Sequence, residues 1–162
     1  MRIEPISVEM AEKNKSEIAK LYFENVHSVV YCSHYTYDEA YEKMDSLISH
    51  LADNTAVVYG AYEDETLIGF IWAYPHQFRE EMRMYVSEIR VAEEFRNRGI
   101  GRQLLRCVEN RAKEMQISAM YLHMEAGNTD VKKFYETNGF MEERIQMRKA
   151  IPGTCTYGTP KE

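Results

Sequence analysis

Cysteine is scarce in this chain: Cys32, Cys107 and Cys155 are odd in number and widely spaced. Such a set builds no disulfide framework and fits a reducing cytoplasm. Long apolar runs are also missing. None approaches the roughly 18 to 20 residues that span a bilayer, so no membrane partner is expected. Residues 1–8 contain neither a long apolar core nor a small-residue cleavage site, and no secretory signal is expected there. A basic excess is absent as well. With 26 acidic against 20 basic side chains and a formal charge of −6, the overall field works against a nucleic-acid partner and mildly favours a cationic one.

What is present is the make-up of one globular domain. The chain has 162 residues and 19.1 kDa, 44% hydrophobic and 28% charged, enough to bury a core without metals or disulfides. No repeat and no Pro/Gly/Ser-rich linker divides it. The expected domain is 1–151, with a loose tail over 152–162.

Periodicity gives the element order. Residues 2–8 read as a strand, and Ile18, Leu21, Tyr22, Val26 and Val29 mark one amphipathic helix from about Glu9. Thr36 and Glu39 have capping-box spacing ahead of Ala40, Met44, Leu47, Ile48 and Leu51, so a second helix should run to about Ala52. Residues 56–62 and 67–74 form a predicted antiparallel hairpin closed by Pro75, and a third strand covers about 83–91. A helix from Ile100 buries Leu104, Leu105, Val108, Ala112 and Met115. A strand over 117–124 follows, then a short helix capped by Asn128 and ended by Asn138-Gly139, and a last strand over 140–147.

Arg96-Asn97-Arg98-Gly99-Ile100-Gly101 carries the chemistry. A glycine pair alone marks little more than a tight turn. Between an entering strand and a leaving helix, however, backbone N–H groups and the helix dipole converge on one point, which makes an anion site. There Gly99 and Gly101 are expected to let phosphate approach the main chain. A Rossmann site would need a third glycine near Leu104 and an acidic residue about 20 positions on, and a P-loop would need Gly-Lys-Ser/Thr. All of these are missing.

This Arg-x-x-Gly-x-Gly pattern, preceded by Glu88-Ile89-Arg90-Val91, resembles that of the GNAT superfamily of acyl-CoA-dependent N-acetyltransferases. Downstream, the run from Asn128 through Phe134-Tyr135 to Gly139-Phe140 is similar to the family's Asn-x-x-Ala-x-x-Phe-Tyr-x-x-x-Gly-Phe box, with Val131 at the usual alanine. The motifs occupy residues 85–140, and the first half of the chain matches in pattern only. The resemblance implies an α/β fold, a single domain whose mostly antiparallel central sheet has a splayed parallel strand pair and about four flanking helices. It also implies acetyl-CoA as co-substrate, without a metal.

Acyl transfer to an amine needs the neutral amine, whereas an alkylammonium holds its proton up to about pH 10. Glu88 is the candidate proton acceptor, directly or through a water. Its rival reading is a structural charge on the sheet. The resemblance further implies that the backbone at Ile89, Arg90 and Val91 holds the pantetheine arm and polarises the thioester, that Tyr135 protonates the leaving thiolate, and that Asn128 contacts the cofactor besides capping its helix. Arg96, Asn97, Arg98, Gly99, Ile100, Gly101 and Arg102 would surround the pyrophosphate.

The segment from Tyr22 to Asp45 is rich in tyrosine and acid, a candidate wall for a small cationic amine, polyamine, aminoglycoside-like or peptide acceptor through Tyr31, Tyr35 and Tyr37. A solvated acidic helix face over packed tyrosines is the competing reading. His27, Cys32 and His34 lack standard zinc spacing. After Phe140 little chain is left for a closing hairpin, which leaves a homodimer open as the source of the second wall. Beside the enzyme stand a non-catalytic acyl-CoA sensor and a structural module.

Overall fold

The computed structural model describes residues 1–26, 35–147 and 149. Its centre is a sheet in the order β1 (Arg2–Pro5), β2 (Val57–Glu63), β3 (Thr66–Phe78), β4 (Glu81–Val91) and β5 (Met120–Tyr121). The first four strands are antiparallel to their neighbours, and β4 and β5 are parallel. Alternation along β3 sends Phe70 and Trp72 to one face and Ile71 and Ala73 to the other. Helices α1 (Val8–Lys13), α2 (Lys15–Val26) and α3 (Tyr37–Ala52) cover the first face, with Ile18, Met44 and Leu47 buried against it. The second face is covered by α4 (Ile100–Glu114), through Leu104, Leu105 and Val108, and by α5 (Thr129–Thr137), through Tyr135.

The capping box at Thr36 forms as expected: the Glu39 amide donates to Thr36 Oγ1, and the Thr36 amide donates to the Glu39 carboxylate at 2.7 Å. That contact holds Glu39 below the usual carboxylate range. Thr36→Ala should therefore cost about 1 kcal/mol of stability, read as a lower thermal midpoint. Glu39 is thereby part of a helix end rather than of an acceptor wall.

Four expectations are corrected. The first helix is two, because Asn14 caps α1 and the chain restarts at Lys15. Pro75 does not close its strand: β2 stops opposite Ala73, so from Tyr74 onward β3 pairs only with β4, and a residue lacking an N–H is tolerated on the open side. The strand expected over 117–124 is reduced to Met120–Tyr121. No strand forms over 140–147; charged side chains anchor the segment instead, Glu142 to Lys132 and Glu143 to Arg83, while Met141, Ile145 and Met147 lie exposed. Smaller differences are β1 ending at Pro5 and Met115 being 39% exposed at the end of α4.

Candidate active site

A 3-10 turn, Glu93–Phe95, leads from β4 into the glycine loop. Asn97 and Gly99 both take left-handed backbone, with φ of 62° and 78°. Asparagine tolerates that region and glycine enters it freely. The result turns a row of amides outward: among the described residues, no acceptor takes the main-chain N–H groups of residues 97–102. No acidic residue stands in the first turn of α4 and no side chain caps it. Nothing lies within 4 Å of where a Gly99 Cβ would sit, so the concavity is open. Unpaired N–H groups at the positive end of a fifteen-residue helix are an arrangement suited to an anion.

The arginines divide their work. Arg96 Nε donates to the Val91 carbonyl and Arg98 Nη2 to the Glu94 carbonyl, so both brace the loop. Arg102 is turned to α5, where it bonds Asn138 Oδ1 and the Thr137 carbonyl. Gly101 also has a packing role. Its backbone is helical, and a Cβ there would stand 3.1 Å from Phe134 Cζ, so its smallness lets α5 pack on α4.

Beside this loop the sheet opens. Strands β4 and β5 are registered only at Met84↔Met120 and Tyr85↔Tyr121. Beyond Tyr85, β4 continues to Val91 with ladder partners on its β3 side alone among the described residues. Just past the parting point, Trp72 pairs with Glu88 and Ala73 with Val86, which leaves Ser87 as the extra residue of a β-bulge. The Arg90 backbone faces Phe70 of β3, as Ala92 faces Ile68, so Ile89 and Val91 are the residues that turn backbone groups to the open side, where Arg96 takes the Val91 carbonyl.

Two candidate chemical groups come from different elements. Glu88 is 9% exposed, with Oε1 2.5 Å from Lys43 Nζ of α3 and Oε2 2.7 Å from an Arg90 guanidinium nitrogen. Tyr135, on α5, packs against Phe134 and Phe140. Burial pushes its phenol up to about 12; Arg90 pulls it down and Glu88 pushes it up, so both reach it electrostatically. Asn128 Oδ1 accepts from the Val131 amide and caps α5.

A family model described as the acetyltransferase (GNAT) family matches residues 18–140. The chain belongs to that family. Its similarity to the uncharacterized N-acetyltransferase YycN of Bacillus subtilis is 25% identity over 88 residues, covering 54% of this chain and 56% of YycN. The chain thus spans just over half the length of that relative. A Pyrococcus furiosus protein designated a candidate acetyl transferase is 28% identical and superposes with a TM-score of 0.72, covering 93% of this chain and 99% of that one. The aminoglycoside N-acetyltransferase AAC(6')-Iy, solved in complex with CoA, shares the fold at 18% identity, with a TM-score of 0.71 over 92% of this chain and 93% of its own.

Of the residues expected to line an acceptor, Tyr31 lies outside the described residues, as do His27, Cys32, His34 and the tail from 152. Tyr35 leans edge-on against Tyr22, and burial and the Tyr22 hydroxyl push its phenol up to about 12. Tyr37 packs instead on α2, its hydroxyl donating to the Ser16 carbonyl and its ring against Phe23. Sequence reading missed a row of aromatics on the same sheet face: Tyr74, Tyr85 and Tyr121, with ring centroids 5.2 and 4.9 Å apart in turn, and His76 and His123 beside them. The signal was the alternation of Tyr121 and His123 against inward Leu122 and Met124.

Proposed function

We propose that the protein transfers the acetyl group of acetyl-CoA to a primary amine by direct attack in a ternary complex. The row of unpaired N–H groups at residues 97–102 carries this reading. They fit a pyrophosphate, with Gly99 leaving room for it, while the free edge of β4 from Ile89 to Val91 fits an extended pantetheine amide chain. When bound, the co-substrate supplies an activated acetyl thioester. A β4 N–H aimed at its carbonyl would stabilise the charge developing on oxygen.

Tyr135 donates the proton that the leaving sulfur takes up. Its phenol, pushed up to about 12 by burial, stays protonated through the neutral range. Each Glu88 oxygen already accepts from one cation and keeps a further lone pair, which suits it to hold an amine N–H in line. Aromatic faces at Tyr35, Tyr74, Tyr85 and Tyr121 suit a cationic amine. AAC(6')-Iy acts on aminoglycosides by its name, and an amine acceptor of that general kind is consistent with such a wall.

Calorimetry with acetyl-CoA tests the donor half, and micromolar to low-millimolar binding is expected. Absence of binding at millimolar concentration sinks the reading. Thiol release across spermidine, kanamycin, free lysine and a lysine peptide tests the acceptor half. A flat response in a protein that binds acetyl-CoA would favour a non-catalytic sensor.

A further inference from the structure

The acceptor must lose a proton before it attacks, and both Glu88 oxygens are already engaged. Lys43 and Arg90 hold them at 2.5 and 2.7 Å. One carboxylate between two cations leaves net positive charge, which favours neutral over protonated amine nearby. The proton therefore needs a way out.

Along the same sheet face, Tyr85 is the next side chain on β4 before the bulge, and it is the last residue at which β4 and β5 pair. Its hydroxyl lies 3.5 Å from His123 Nδ1, with the rings 5.6 Å apart. His123 stands two residues beyond Tyr121, at the mouth of the split, and is exposed to solvent. Neighbouring Tyr121 is already committed, its hydroxyl 2.6 Å from His76 Nδ1. Besides His123, the groups among the described residues that act electrostatically on the Tyr85 hydroxyl are Tyr74 on β3, Glu88 on β4, Tyr121 on β5 and Lys43 on α3. Burial first, and then Tyr74 and Glu88, push the Tyr85 phenol up. It thus stays protonated and can pass a proton on without becoming a phenolate. Imidazole is the side chain suited to receive that proton near neutral pH.

We propose that the ammonium proton of the acceptor leaves through Tyr85 to His123, with Glu88 holding the amine rather than deprotonating it; this rests on the acetyl-transfer reading above. The ammonium gives its proton to the Tyr85 oxygen as the Tyr85 hydroxyl proton passes to His123 Nδ1. The nitrogen, now carrying a free electron pair, bonds to the acetyl carbon, and the C–S bond breaks with its pair on sulfur. Tyr135 protonates that sulfur. The second N–H proton, shed as the amide forms, balances the one Tyr135 gives up, and His123 returns its own proton to water. One proton in all is released. Tyr85 touches the substrate in this scheme, and His123 acts through it.

The test is the pH dependence of kcat/KM for whichever of the four amines turns over, in wild type, His123→Gln, Tyr85→Phe and Glu88→Gln, with acetyl-CoA affinity measured beside it. Glutamine at 123 can still hydrogen-bond Tyr85 but cannot take a proton. Wild type should lose rate as pH falls, because an imidazolium accepts nothing. His123→Gln should lower kcat/KM by about 100-fold and erase that acidic limb, and Tyr85→Phe should lower it similarly, both with acetyl-CoA affinity within twofold of wild type. Glu88→Gln should raise KM for the amine and keep the limb. A wild-type profile in His123→Gln, or loss of the limb in Glu88→Gln alone, overturns the relay while leaving acetyl transfer standing. A wild type that neither binds acetyl-CoA nor releases thiol sinks the reading on which the relay rests.

Discussion

Gly99→Val is expected to abolish acetyl-CoA binding while leaving a folded protein. Gly99 has φ of 78°, where a β-branched residue is forced out of its favoured region at a cost of roughly 1–2 kcal/mol. The space above it is open in the structure, so the valine meets no protein atom at its Cβ and the core below survives. That same space is where a pyrophosphate would sit against the amides of residues 97–102. The branched methyls would occupy it, and relaxation of the strained backbone would turn the amides out of line. We expect at least a 100-fold loss of calorimetric affinity, with a drop of only a few degrees in thermal midpoint, on the order of that strain. Affinity within threefold of wild type would mean that the loop is not the anion site.

The second large effect is expected at Tyr135. Tyr135→Phe keeps the ring and its edge contact with Phe140, at 5.4 Å between centroids, and removes only the hydroxyl. Acetyl-CoA affinity should stay within about twofold, and kcat should fall by about 100-fold, the usual scale for losing a general acid. The direction of the phenol's shift adds a second reading. Pushed up to about 12, it is a weak acid that gives its proton only to a strongly basic sulfur. An acyl donor whose thiol is more acidic than that of CoA needs that help less, so the Phe variant should recover part of its rate with such a donor. Unchanged kcat in the variant would remove Tyr135 from the chemistry.

The legible parts of this site are those written locally. Thr36 and Glu39 are three apart and satisfy each other; Gly99 takes a positive φ that glycine enters freely; Asn128 and Gly139 bracket one short helix. Each depends on neighbours within a turn or two. The Lys43–Glu88 pair joins residues 45 positions apart on different elements, and nothing in either local sequence forecasts it. The packing demand on Gly101 is not legible locally, since the Phe134 ring that requires its smallness arrives from another helix. The strand expected over 140–147 shows the converse: apolar residues were present, but no neighbouring ladder took up their backbone. Tyr85 and His123 went unnoticed because β4 and β5 come together only through the intervening helix.

The parting of β4 from β5 has a consequence beyond catalysis. From Val86 to Val91 an interior strand carries the open hydrogen-bonding groups of a sheet edge. Edges of that kind recruit stray strands and seed aggregation, and proteins blunt them with bulges such as the one at Ser87 and with nearby charge. An extended amide chain lying there would act as a surrogate strand and complete the ladder. On that view the bound co-substrate also protects the protein, and solutions starved of it should be the first to lose their solubility.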